Sequence, residues 1–306
     1  MSVVLVTGSE GQLGLALQAT FKAHPLFAPL FCSKSMLDIT NGGQIEACIK
    51  AHSVRYIINC AAYTNVQLAE QEATACFKVN SLGAGYLATL AAKYGIVFFH
   101  ISTDYVFGLT KGCPLSPSDP TDPLNQYGRS KRAGEQMVAA RATHFYIIRT
   151  AWLYGEKGHN FFTKMVALAQ KGDVIQMVDD QIGSPTYVYD LAAAIWEIVE
   201  KIAKNNLADY PFGIYHYTNE GVASWYDFAY AIAAALPNRC AVIPRSSAAV
   251  RLKRPYYSVL NKSSFREVFQ IKIPHWQDSL ALCVRKWQNR LGCFWIGFIL
   301  NLSLYI

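Results

Sequence analysis

Val3-Val4-Leu5-Val6-Thr7-Gly8-Ser9-Glu10-Gly11-Gln12-Leu13-Gly14 reads as a strand, a turn and the start of a helix in immediate succession. The run Val3 to Thr7 is apolar and β-branched, the composition of a strand buried on both faces of a parallel sheet. Gly8 permits a tight turn, Gly11 lets the backbone approach a pyrophosphate, and Gly14 lets the helix pack close to the strand. The helix N-terminus then faces the phosphates. Gly8, Gly11, Gly14 and the intervening Gln12 and Leu13 are therefore expected to hold a dinucleotide. The spacing is G-x-x-G-x-x-G, not G-x-G-x-x-G, so the turn alone is a weak signal.

Outward from this stretch, apolar strands alternate with helical periods. Val3 to Val6, Ala28 to Phe31, Tyr56 to Cys60, Val97 to Ile101 and Phe145 to Arg149 read as strands; helices fall near 12–23, 42–51, 73–93 and 127–141. Such alternation predicts an α/β fold with a Rossmann-like doubly wound parallel sheet. Beyond residue 155 Pro, Tyr and Trp become more frequent. Leu191 to Lys204 and Trp225 to Leu236 read as helices around the strand-like Gly213 to Thr218. The expected organisation is a dinucleotide-binding domain over 1–155, with the chain returning to it around 185–220, a smaller α/β substrate-binding region over 156–290, and an apolar tail over 291–306. Ligand should lie between the two parts, at the carboxyl ends of the strands.

Tyr127-Gly128-Arg129-Ser130-Lys131 places a phenol and an ammonium at i and i+4, on one helix face. Carbonyl reduction by a nicotinamide builds negative charge on the substrate oxygen, which must be met by a proton and by oriented donors. Tyr127 can supply the proton. Lys131 is expected to stabilise the phenolate and lower the pKa of Tyr127, and Thr103 to donate to the same oxygen.

The chain has 306 residues, 52% of them apolar, enough for a sizeable core. The net charge of +7 is spread over scattered basic residues with no Arg/Lys stripe interleaved with aromatics, which argues against nucleic acid as a partner and suits a diphosphate-bearing small molecule. Eight cysteines include no C-x-x-C pair and no secretory leader precedes the first strand, so they read as buried free thiols of a cytoplasmic protein. Seven histidines lack ligand spacing, and no catalytic metal is expected.

These motifs together resemble the extended short-chain dehydrogenase/reductases, and among them the sugar-nucleotide reductases. The resemblance is carried by TGSEGQLG at 7–14, LDIT at 37–40, NCAAYTNVQLAE at 59–70, STDYVFG at 102–108, NQYGRSKRAGE at 125–135, RTAWLYG at 149–155, DQIGSPT at 180–186 and RPYYSVLN at 254–261. It implies reduction of the C4 ketone of dTDP-4-dehydro-L-rhamnose to dTDP-L-rhamnose, with another 4-keto or branched sugar nucleotide as the neighbouring reading. A further reading is a non-catalytic regulatory subunit of the methionine adenosyltransferase β type, against which the intact Thr103, Tyr127 and Lys131 argue. The resemblance also implies that Lys131 hydrogen-bonds the nicotinamide ribose, that Asn80 shapes the active-site helix and a proton relay, and that Ala61, Ala62 and Tyr63 lie against the cofactor. Asp38, with Ile39, would contact adenine. Thr64, Val66, Thr103, Asp104, Tyr105 and Trp152 would line the sugar pocket, although a tryptophan after a core strand is also a common packing residue.

The second strand ends Phe31-Cys32-Ser33-Lys34, with no carboxylate for a ribose 2′-hydroxyl; Ser33 and Lys34 suit a 2′-phosphate, so NADPH is expected, with NADH tolerated. Three stretches depart from the family pattern. Gln67-Leu68 replaces a usual Asp-Lys, and Gly14-Leu15-Ala16-Leu17 lacks the glutamate through which some members dimerise on magnesium; a homodimer remains an expectation without that ion. From Leu291 to Ile306 the chain is mostly apolar but as a helix would reach only about 24 Å, short of a bilayer core of about 30 Å. No transmembrane span is expected. The tail reads as packed on the body or a partner, as a peripheral membrane contact beside Arg285 and Lys286, or as an artefact of expression or reading frame.

Overall fold

The computed structural model describes residues 1–21, 26–108, 112–172, 174–237, 240–249 and 252–302, with side chains described as far as residue 290. Six strands, β1 (Ser2–Thr7), β2 (Phe27–Cys32), β3 (Val54–Asn59), β4 (Val97–Thr103), β5 (Phe145–Thr150) and β6 (Gly213–His216), form one sheet in the order β6-β5-β4-β3-β1-β2. All its pairings are parallel. Strand order reverses between β1 and β3, which opens a crevice at their carboxyl ends, the place where such sheets bind ligands.

The apolar run of β1 follows from burial on both faces. Val4 and Val6 belong to a core shared with Leu17 of α1 (Gln12–Thr20) and with Leu191, Ile195 and Trp196 of α6 (Val188–Lys204). Leu5 belongs to the opposite core, with Ile45 of α2 (Gly42–His52) and Leu87 and Ala91 of α3 (73–93). The Trp196 indole donates to the Leu17 carbonyl at 3.1 Å, so the largest buried ring also has its polar atom satisfied. A third core, around Tyr154, Phe162, Phe228 and Trp276, packs α5 (Phe161–Lys171), α7 (Trp225–Ala235) and α8 (Trp276–Leu302) beside the crevice.

Helix α3 departs from the expected uniform period. Ala73–Phe77 is α-helical, Lys78–Gly83 widens into a π-helical stretch, and Ala84–Lys93 resumes the α-helix. The wide turn carries the Asn80 carbonyl against α4 (Gln126–Arg141), where a Cβ at Gly134 would lie 2.1 Å from it. Other boundaries moved by a few residues: β3 starts at Val54, β6 ends at His216, and α6 starts at Val188. The cysteines are free thiols, as expected for the described ones, but the expectation that all are buried is corrected: Cys32, Cys76 and Cys283 are buried, Cys48, Cys60 and Cys240 partly so, and Cys113 is exposed. Among the described residues no helix is long and apolar enough to cross a membrane. The three readings of the tail concern side chains of 291–306, outside those described.

Helix α4 is seated on the sheet by a fully buried ion pair. Arg149 of β5 donates from Nε to Glu135 Oε1 and from Nη2 to Glu135 Oε2, both at 2.8 Å, and Ser102 of β4 donates to Oε1 at 2.6 Å. The guanidinium also donates to the Pro117 carbonyl at 3.1 Å and lies over the Phe107 ring. Arg149→Met strips the buried Glu135 carboxylate of its two guanidinium bonds and leaves it only Ser102 and Arg132, whose Nη1 lies 3.4 Å from Oε2. Urea denaturation is expected to show a loss of about 3–5 kcal/mol.

Candidate active site

A cleft of about 720 Å³ opens at the carboxyl ends of β1, β3, β4 and β5. Its floor at β1 is the turn Gly8 to Gly11. Gly8 has φ +66°, and a Cβ there would meet the Ala61 nitrogen at 2.6 Å, so the loops after β1 and β3 approach as closely as glycine allows. Gly11 caps α1, whose first turn faces the cleft, and Gln12 Oε1 is buried there without a partner. Backbone N–H groups at a helix start form a donor set that fits a pyrophosphate. Gly14 lies outside the cleft and serves packing: its Cβ would fall 2.5 Å from the Gly8 carbonyl oxygen.

Farther along the wall stand Lys34, Leu37, Asp38 and Ile39. The Thr40 N–H donates to Asp38 Oδ1 at 2.9 Å and holds that carboxyl below its usual range. Ser33 is buried, engages Ser35 and does not line the cleft, so Lys34 is the one of the expected pair that faces it.

The loop after β3 brings Ala61, Ala62, Tyr63 and Thr64 to the opposite wall. Asn80 holds this loop from behind: its Oδ1 accepts from the Tyr63 N–H at 2.8 Å, and its Nδ2 donates to the Tyr63 carbonyl at 3.0 Å and to Ser130 Oγ at 2.9 Å. A polar residue inside a helix thus finds partners across the π-helical widening. Asn80 itself stays out of the cleft.

At the end of β4, Thr103 caps a single turn, Asp104–Val106, and its hydroxyl donates to Asp104 Oδ1 at 3.1 Å. Tyr127 enters from the first turn of α4, which Asn125 caps by accepting from the Gly128 N–H at 2.8 Å. Its hydroxyl is hydrogen-bonded with Thr103, and its ring meets Tyr105 edge-on at 5.7 Å. Thr103, Asp104, Tyr127 and Lys131 all line the cleft; Tyr105 and Val66, the latter opening the short helix Val66–Ala69, do not.

Burial decides the electrostatics. It pushes the Tyr127 phenol above its usual range, an effect that the Thr103 hydrogen bond only partly offsets. The expected lowering by Lys131 is therefore corrected: the ammonium turns instead to the Ile101 carbonyl, 2.6 Å away, and burial lowers its own pKa to about 8. Asp104 is 2% exposed, its Oδ2 has no partner, and burial raises it to about 6.

Trp152 closes the cleft beyond β5. It has a left-handed backbone, φ +48°, and stacks on Trp225 with ring centroids 3.7 Å apart and planes 12° from parallel. It is both wall and packing residue. Sequence reasoning did not select Ser102, Thr150, Ala151, Gly158 or His159, which also line the cleft. Thr150 and Ala151 end a parallel strand, as Thr103 does, and that position was a usable signal; Gly158 and His159 come from a loop without one.

A family profile described as RmlD substrate binding domain matches residues 1–289. The chain is 37% identical over 288 residues to a dTDP-4-dehydrorhamnose reductase of Aggregatibacter actinomycetemcomitans, covering 92% of this chain and 97% of that one. It is 39% identical over 283 residues to a dTDP-4-keto-6-deoxy-D-glucose reductase of Streptomyces niveus, covering 90% and 94%. Among solved structures, the dTDP-4-dehydrorhamnose reductase of Bacillus anthracis in complex with NADP superposes with a TM-score of 0.85 at 34% identity, covering 94% of this chain and 100% of that one.

The raised Asp104 gives a pH signature. Folded Asp104 binds its proton more tightly than the unfolded chain does, so its ionisation costs stability above pH about 6, and this cost fades as the pH falls toward 4. Asp104→Asn is expected to be more stable than the parent by about 2–3 kcal/mol at pH 7.5. Urea titrations at pH 7.5 and pH 4.5 should show that advantage shrinking in acid.

Proposed function

The chain belongs to the dTDP-4-dehydrorhamnose reductase family, and from that premise we propose that it reduces the C4 ketone of dTDP-4-dehydro-L-rhamnose to dTDP-L-rhamnose with NADPH. The observation that carries the reading is the convergence of Thr103, Tyr127 and Lys131 at one end of a cleft whose other end is a glycine turn at a helix start. A regulatory subunit would have no use for a proton donor so placed.

The Gly8 to Gly11 turn and the α1 N-terminus would hold the diphosphate, Lys34 the 2′-phosphate, and Ala61 to Tyr63 the ribose face. When bound, the nicotinamide supplies a hydride to the ketone carbon. Tyr127 gives its proton to the C4 oxygen; its raised pKa keeps the hydroxyl protonated at neutral pH, the form that reduction requires. Thr103 lies beside that hydroxyl and would turn its own proton from Asp104 to the developing alkoxide. Lys131 brings positive charge near the phenolate once the proton has left and binds the nicotinamide ribose. Residues 156–290 would complete the sugar and base pocket, with Trp152 as its wall.

The Streptomyces niveus relative supports a second reading, in which the substrate is the unepimerised 4-keto-6-deoxy sugar. The two separate in one assay. NADPH oxidation is followed with the keto-sugar precursor alone and with the epimerase that generates dTDP-4-dehydro-L-rhamnose in place; turnover only with epimerase, giving dTDP-rhamnose, is the expected outcome. Tyr127→Phe should lower kcat by about 10²-fold or more while NADPH binding, read by fluorescence, stays within about twofold. Lys34→Ala should weaken NADPH about tenfold and leave NADH unchanged.

A further inference from the structure

Beneath Lys131 lies a line of polar side chains that none of these roles uses: Thr7, Asn59 and His100, exposed by 0%, 1% and 1%. They sit on three adjacent strands, β1, β3 and β4. Their hydrogen bonds fix each proton. Asn59 Oδ1 accepts from the Thr7 hydroxyl at 2.7 Å and from the Ala61 N–H at 3.2 Å. Two donors on one atom identify it as the amide oxygen, so the Asn59 amide nitrogen faces His100 Nδ1, 3.1 Å away. That nitrogen can only donate; Nδ1 must accept, and a neutral imidazole then carries its proton on Nε2. His100 is neutral, because burial and the Lys131 charge hold it well below its usual range.

His100 Nε2 lies 3.5 Å from Lys131 Nζ. An ammonium offers only protons, so an N–H pointing at it is a donor facing a donor. A neutral amine has a lone pair for that N–H, and it still donates to the Ile101 carbonyl at 2.6 Å. The contact beneath Lys131 therefore favours release of its proton. The groups facing Lys131 from other directions, Glu135 on α4, Cys60 after β3 and Cys76 on α3, pull the other way.

We propose that His100 is a positioning residue for Lys131: held by Asn59 with its proton on Nε2, it prepares the lysine to give a proton back to Tyr127 after each reduction. The proposal rests on the reductase reading for its purpose but not for its geometry. In each cycle Tyr127 loses one proton to the substrate oxygen, Lys131 passes one to the Tyr127 phenolate and becomes an amine accepting from His100, and solvent returns one to Lys131, so that protons balance.

The test begins with the protein alone. Nitrogen-15 NMR of histidine-labelled protein, with His100 assigned by the signal lost in His100→Gln, is expected to show the neutral Nε2–H form at pH 7; an Nδ1–H form or an imidazolium overturns the proposal. Lysine Nζ spectra then follow Lys131 against pH. His100→Phe removes the facing N–H, so the Lys131 titration should move up by about one pH unit, and the alkaline limb of kcat/KM should move with it. His100→Gln, which keeps an N–H donor, should hold Lys131 to less than half of that shift; a full upward shift in His100→Gln overturns the proposal even if the Phe variant fails to fold. An unmoved Lys131 titration in folded His100→Phe overturns the proposal, whereas a moved titration in an enzyme inactive on dTDP-4-dehydro-L-rhamnose overturns only the substrate reading.

Discussion

The two-pronged pairing of Glu135 with Arg149 is the constraint from which the geometry of the site follows. Glu135 lies one helical turn beyond Lys131, which lies one turn beyond Tyr127, so the three occupy one face of α4. Fixing Glu135 against β5, with Ser102 of β4 on the same carboxylate, sets the rotation and height of the whole face. A buried ion pair adds little stability over an apolar pair of the same volume. Two parallel N–H···O bonds do supply direction, and a proton donor aimed at a cleft needs direction more than it needs strength.

The same burial that makes the pair directional sets the charges around it. Desolvation disfavours whichever form of a group is charged, so it raises Tyr127 and Asp104 and lowers Lys131. The phenol is thereby kept protonated at neutral pH and the lysine is made to hold its proton less tightly, both on one helix face. Asn80 and the π-helical stretch hold the opposite wall to the same helix through Ser130, so the Ala61 to Thr64 loop and the helix that carries Tyr127 are tied together.

Much of this was legible in the chain. The strand, glycine turn and helix start of residues 3–14, the alternation of strands and helices, and the Tyr127–Lys131 spacing all fell where expected, because each depends on residues within a few positions of one another. Thr103, Asp104, Lys34, Asp38 and Trp152 were found at the cleft as well. The misses have a common cause. Ser33 and Lys34 are neighbours at the end of one strand, and only the packing of the turn decides which side chain faces the cleft; Gly14, Val66 and Tyr105 likewise fall outside it, because the packing of their elements turns them away.

The sequence by itself determined the elements, the glycine turn at the start of the first helix, and the chemical types available for proton transfer, since period, capping and i, i+4 spacing are local. Tertiary structure decided what those groups do. Thr7 meets Asn59 across 52 positions, Asn59 meets His100 across 41 and His100 meets Lys131 across 31. The proton position on His100, the elevation of Tyr127 and the lowered proton affinity of Lys131 all depend on desolvation and on such distant contacts, which exist only once strands far apart in the chain lie side by side in one sheet.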